Sequence, residues 1–134
     1  MTEQKLWIKL RAAALENGLF PERYENAASF GTYDSSLSWE NQTLWIELKG
    51  SVDEELRTSQ LRWTRARFNR GCTNDMYVLF GDKYRHRVCL LPSTYVLDTG
   101  GRLSYDHAMV FSYMDELVIF LKENWRLPWK TQKA

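Results

Sequence analysis

Apolar residues fall along this chain in two distinct rhythms. In residues 3–17, EQKLWIKLRAAALEN, Leu6, Leu10, Ala13 and Ala14 recur at helical spacing, and Gly18 stands where a helix would stop. After Pro21 the rhythm shortens. A short strand is predicted near Arg23 to Asn26, then a loop of small residues, then a second strand near Tyr33 to Trp39. Glu40 to Gln42 supplies a hairpin turn into the strand LWIELKG, Leu44 to Gly50. GSVDEEL is polar and reads as loop, and Thr58 is placed to cap a helix, SQLRWTRARFNR, that ends at Gly71. DMYVLFG and YRHRVCLL predict two more strands, with Gly81 and Asp82 at the turn between them. Residues 92–111 show no clear period and read mostly as loop. Ser112 followed by Asp115 resembles a capping box, and Leu117, Val118, Leu121 and Trp125 form an apolar stripe on a last helix, about 112–125. The tail RLPWKTQKA reads as extended. The order α-β-β-β-α-β-β-α predicts an α/β or α+β domain around a mixed sheet.

Composition narrows the class. A chain of 134 residues suits one domain with a genuine core, and 44% hydrophobic with 14% aromatic residues argues for a packed globule. The net charge is only +1, so any affinity for nucleic acid has to come from a local patch. Lys5, Lys9 and Arg11 interrupt the first apolar stretch, so neither a signal peptide nor a membrane span is expected. Cys72 and Cys89 lie far from each other and from both histidines, which argues against structural zinc and for a reduced cytoplasmic protein.

Candidate chemistry concentrates in LWIELKG. Strand alternation sends Leu44, Ile46 and Leu48 to one face and Trp45, Glu47 and Lys49 to the other. The first set is suited to a core; the second is polar at the strand's C-terminal end. A hairpin turning at Glu40 to Gln42 lays the start of one strand beside the end of the next, which brings Asp34 to Glu47. Two carboxylates with a lysine beside them make a hard-oxygen site for Mg²⁺ or Mn²⁺, the lysine being free to orient a water or steady developing charge. An E-x-K on a strand is also a common solvated face or ion pair.

The longer pattern carries more. Arg23, Glu25, Asn26, Gly31, Asp34, Trp45, Ile46, Glu47, Lys49, Leu56, Arg57, Gln60, Trp63 and Gly71 occur in that order. As a set they resemble the PD-(D/E)XK nuclease superfamily, and within it the small VRR-NUC-like nucleases of bacteriophage genomes. Those show an R-x-E-N strand, a G-x-P-D turn, a W-I-E-x-K strand and an L-R-x-x-Q-x-x-W helix that ends in glycine. The resemblance spans about Leu6 to Phe80. It implies a restriction-endonuclease-like αβββαβ core over about residues 3–90, within a single nuclease-like domain of residues 1–134. One departure is that Tyr33 stands where the family has proline, with Ser35 after the aspartate.

The resemblance also implies roles. Asp34 and Glu47 would hold the metal with the backbone carbonyl of Leu48, and Glu3 or Glu25 would add a further acid. Lys49 would contact the attacking water or scissile phosphate, and Gln60 would stand at the edge of the site. Glu25 reads equally as an ion-pair partner of Arg23. Arg57, Arg62 and Arg65 would contact DNA. The helix carrying Arg62, Arg65, Arg67 and Arg70 also reads as a solvated face, with Leu61, Thr64 and Phe68 toward the core. Lys83 to Arg87, KYRHR, is ambiguous in the same way; His86 reads as a surface residue, and Trp125 and Trp129 as packing. The expected activity is Mg²⁺- or Mn²⁺-dependent DNA hydrolysis, structure-selective and phage-type, in the host cytoplasm, with homodimerisation left open. The rival is a DNA-binding or host-inhibitory protein that keeps the fold without the chemistry.

Overall fold

The computed structural model describes residues 1–24 and 31–124. Its elements are α1 (Glu3–Glu16), β1 (Phe20–Arg23), β2 (Ser35–Trp39), β3 (Gln42–Lys49), α2 (Thr58–Asn69), β4 (Met76–Gly81), β5 (Val88–Pro92), α3 (Ser93–Asp98), β6 (Met109–Phe111) and α4 (Met114–Asn124). The strands form one six-stranded sheet in the order β1-β2-β3-β4-β5-β6. Every neighbouring pair is antiparallel except β3 and β4, which run parallel and are joined through α2.

Helices cover both faces, so the central strands are buried on two sides. Leu6, Leu10 and Ala14 of α1 and Leu117, Val118 and Leu121 of α4 close over Leu44, Ile46 and Leu48 of β3 with Tyr77 and Leu79 of β4. On the opposite face Leu56, Val78, Phe80, Cys89, Leu91 and Val96 make a smaller core, against which Leu61 of α2 packs. The alternation along β3 thus serves both layers, and Glu47 and Lys49, at 1% and 7% exposure, are not on a solvated face. The β2–β3 turn holds Glu40 at φ 46° and Asn41 at φ 65°, two left-handed residues in succession. A two-residue hairpin needs this geometry to match the strand twist, and it fixes the register of the two strands it joins.

Several elements differ from expectation. The first strand is Phe20–Arg23 rather than Arg23 to Asn26; it lies on the sheet edge, where Pro21 is tolerated because no neighbour needs its missing N–H. Glu25 and Asn26 lie outside the described residues. Thr58 is the first residue of α2 rather than its cap; the Gln60 side chain reaches back instead, and its Oε1 accepts from Arg57 N–H at 3.0 Å. In the last helix the cap lies one residue beyond Ser112 and Asp115: Tyr113 N–H donates to Glu116 Oε1 at 3.0 Å. Residues 92–111 contain α3 and β6, six and three residues long, too short for a period to be legible. Phe68, expected in the core, is exposed in the last turn of α2, although it shares a helix face with buried Gln60 and Thr64. Trp125 and Trp129 lie outside the described residues. Among those described, no helix is long and apolar enough to cross a membrane.

Candidate active site

The β2–β3 ladder ends with Ser35 opposite Ile46, so the next residues outward, Asp34 and Glu47, face each other. Asp34 N–H donates to Glu47 Oε1 at 3.0 Å, and Leu48 N–H donates to Asp34 Oδ1 at 3.2 Å. Each carboxylate is therefore steadied by the other's strand. Backbone N–H and C=O of one strand residue point to the same edge, so the Leu48 carbonyl also faces Asp34. Lys49 Nζ lies 3.5 Å from Glu47 Oε2 and donates to Gln60 Oε1 at 3.4 Å. Gln60, fully buried on α2, donates through Nε2 to Glu47 Oε2 at 2.6 Å. Asp34, Glu47, Leu48, Lys49 and Gln60 thus converge.

The segment before Asp34 is fastened to α2. Gly31 has φ 79°, and a Cβ there would run into the Ser59 carbonyl, so only glycine lets the loop press on the helix. Tyr33 is buried with its hydroxyl 2.7 Å from Thr64 Oγ1 and 2.9 Å from Ser93 Oγ. Thr64 Oγ1 in turn donates to the Gln60 carbonyl at 2.7 Å. The tyrosine thereby links the segment that bears Asp34 to the helix that bears Gln60. Burial raises its phenol to about 12, so it keeps its proton.

Burial of two carboxylates near enough for their charges to interact has an electrostatic cost. Burial first, and the Glu47 charge second, raise Asp34 to about 7. Burial also raises Glu47, opposed by the Lys49 charge and by the bonds from Asp34 and Gln60. The donor set is two carboxylates and a carbonyl, all hard oxygens, and no described residue donates a hydrogen bond to Asp34 Oδ2. These features fit a small divalent cation, whose charge would relieve the repulsion. Among the described residues no group of three His, Cys, Asp or Glu stands together as a ready-made metal site.

Glu3, in the first turn of α1, is half-buried; burial and then the Glu54 charge raise it, and the charges of Lys49 and Glu47 also reach it. Glu25 lies outside the described residues; Arg23 Nη1 donates to Gln4 Oε1 at 3.0 Å. Glu54 was not singled out from the sequence. Its Oε2 accepts from Gly50 N–H and, at 3.1 Å, from Ser51 N–H. A Cβ on Gly50 would lie 2.5 Å from that oxygen and 2.9 Å from the Met1 carbonyl, which is why a glycine follows Lys49. In sequence, Glu54 is one of three acids in a polar loop, with nothing to set it apart from Asp53 and Glu55.

The arginines divide. Arg57 precedes α2, is exposed, and lies near enough for its charge to act on Glu47. Arg62 and Arg65 are exposed along α2, and Arg70 is exposed just past its end. Arg67 is half-buried instead: it pairs with Asp75 and lies 5.2 Å from the ring of Trp63 and 6.0 Å from that of Trp45.

No protein-family model and no curated protein matches the chain. Among solved structures it is similar to Hjc of Archaeoglobus fulgidus, described as a Holliday junction resolvase from an archaeal hyperthermophile. The two superpose with a TM-score of 0.57 at 17% identity, covering 87% of this chain and 97% of the other. The likeness establishes a shared fold: a mixed sheet flanked by helices, the restriction-endonuclease-like architecture expected from the sequence.

Proposed function

We propose that this chain is a metal-dependent DNA endonuclease of PD-(D/E)XK type, selective for branched DNA. The observation that carries the reading is the mutual contact of Asp34, Glu47, Lys49 and Gln60 where β2 begins beside the C-terminal end of β3. The fold shared with a Holliday junction resolvase supports a preference for junctions, and the sequence motifs support the VRR-NUC-like branch and a phage origin.

Asp34, Glu47 and the Leu48 carbonyl would hold Mg²⁺ or Mn²⁺, with Glu3 as a further acid; the bound ion would supply positive charge to the phosphate and acidify a water. The chain's own residues do the rest. Gln60 fixes the rotamer of Glu47, and Leu48 N–H fixes Asp34. Lys49 holds an ammonium beside Glu47, where it can orient a water or balance charge on the phosphate. Arg57, Arg62 and Arg65 are the phosphate contacts on the α2 side.

A second reading has one observation in its favour. Both oxygens of Glu47 already accept protein donors, an arrangement that a non-catalytic DNA binder or host inhibitor could also keep. Incubation with four-way, flapped, nicked, single-stranded and plain duplex DNA separates the two. Cleavage in Mg²⁺ or Mn²⁺ that EDTA stops and that favours branched DNA supports the nuclease. Binding without cleavage under either metal selects the rival.

A further inference from the structure

The turn between β4 and β5, residues 82–87, takes no part in the cluster around Asp34 and Glu47. Because β3 and β4 run parallel with Lys49 opposite Phe80, this turn leaves the sheet at the same end as the candidate site. Gly50 and Gly81 lie side by side there, a Cβ on Gly81 falling 3.1 Å from the Gly50 carbonyl oxygen. The turn carries Lys83, Arg85, His86 and Arg87, and at its tip Tyr84 is 78% exposed, the most of any large hydrophobic residue among the described residues.

The turn is braced rather than loose. Asp82 Oδ1 accepts from Tyr84 N–H at 2.9 Å, and Asp82 Oδ2 accepts from Arg87 Nε and Nη2 at 3.1 and 2.8 Å. Asp82 N–H donates to the Arg87 carbonyl at 3.0 Å, and Lys83 N–H donates to Tyr105 Oη at 3.0 Å. Lys83 Nζ pairs with Asp53 at 2.9 Å, tying the turn to the loop beyond Lys49. A single exposed aromatic is ordinary. One held out by a bonded turn, with Lys83 Nζ 5.8 Å from its ring and Arg85 exposed beside it, at the end of the sheet that bears the candidate site, has the chemistry of a stacking platform: a π-face for a base and positive charge for its phosphate. In a paired helix the faces of the bases are covered by their neighbours, so the fitting partner is an unpaired base.

We propose that the β4–β5 turn is a nucleic-acid finger on which Tyr84 stacks an unpaired base next to the cleaved phosphate, with Arg85 contacting the backbone. This assigns the nuclease its preference for branch points and single-stranded segments, and it rests on the nuclease reading. The test measures binding in Mg²⁺ on the Lys49→Ala background, where the DNA survives, with 2-aminopurine at the first unpaired position. Tyr84→Ala should weaken binding to single-stranded and branched DNA by about 5- to 100-fold and abolish the fluorescence quench. It should alter binding to fully paired duplex by less than about twofold and leave the salt slope intact. Tyr84→Phe should restore most of the loss. Equal effects of Tyr84→Ala on paired and unpaired DNA, or none on either, overturn the finger while leaving the nuclease standing. Wild-type protein that neither binds nor cuts any DNA overturns the nuclease reading and the finger together.

Discussion

The two faces of β3 are built on opposite principles. Toward α1 and α4, β3 presents Leu44, Ile46 and Leu48 to a layer of aliphatic side chains. Toward α2, the same strand presents Trp45, Glu47 and Lys49, and around them lie buried Gln60, Thr64, Tyr33 and Ser93. The apolar face gains from burial at about 25 cal/mol per Å² and asks nothing of geometry beyond packing. The polar face bears the desolvation of two carboxylates and an ammonium, so each needs a placed partner. Along β3, hydrocarbon packing lies on one side and the polar cluster on the other, and a single strand with period two delivers both.

Exchanging the roles of the two faces gives the largest expected effect. Asp34→Asn, Glu47→Gln and Lys49→Ala should each lower the cleavage rate by about a thousandfold or more with the fold intact by circular dichroism. The losses should not add, so a double variant no slower than either single one fits a common step. Full activity in Lys49→Ala would remove that residue from the site.

On the opposite face, Leu44→Ala should cost about 2–5 kcal/mol of stability in urea unfolding. Activity per folded molecule should be nearly unchanged. A change in rate per folded molecule larger than the change in folded fraction would show that the two layers are not separable.

The next effect is smaller and reverses with conditions. Asp34 is raised to about 7 in the fold from an ordinary value near 3.8, with burial as the first cause. Below about pH 4 both folded and unfolded chains hold its proton and nothing is lost. As pH rises from 4 to 7 the unfolded chain ionises first, so the folded state loses stability across that window. Asp34→Asn should therefore stabilise the metal-free protein at pH 8, by on the order of 1–2 kcal/mol, and the gain should vanish toward pH 4. Mg²⁺ at roughly ten times its dissociation constant should raise the wild-type melting temperature by about 3–6 °C and the variant's far less. Equal shifts in both would take Asp34 out of the cation site.

The smallest effect lies outside both layers, on the exposed side of α2. Arg62→Ala or Arg65→Ala should weaken DNA binding a few-fold for all sequences and lower the slope of log affinity against log salt by about one unit each. An unchanged slope in both would return that helix face to plain solvation.

What the sequence determined by itself was whatever depends on near neighbours along the chain. The stripe of Leu6, Leu10, Ala13 and Ala14 defined α1, and Glu40 to Gln42 marked a hairpin; the structure narrows that turn to Glu40 and Asn41, with Gln42 paired to Trp39, and so sets the β2–β3 register. Once that register was set, Asp34 had to meet Glu47, because a hairpin pairs residues by counting outward from its turn. The first strand was misplaced because Pro21 looked like a break, and only its position on the sheet edge makes it harmless.

Tertiary structure alone decided what required distant segments to meet. Six-residue α3 and three-residue β6 exist through contacts with β5, not through any periodicity of their own. Gln60 reaches Glu47 because α2 folds back over β3, and Tyr33 reaches Thr64 and Ser93 because α2 and α3 share that face. Glu54 came to Gly50 through a local loop whose path no residue pattern announces. A local pattern fixes which way a side chain points along its own element. Whether it then meets water, a hydrocarbon layer or another charge depends on what packs opposite, and that is settled only when the layers close.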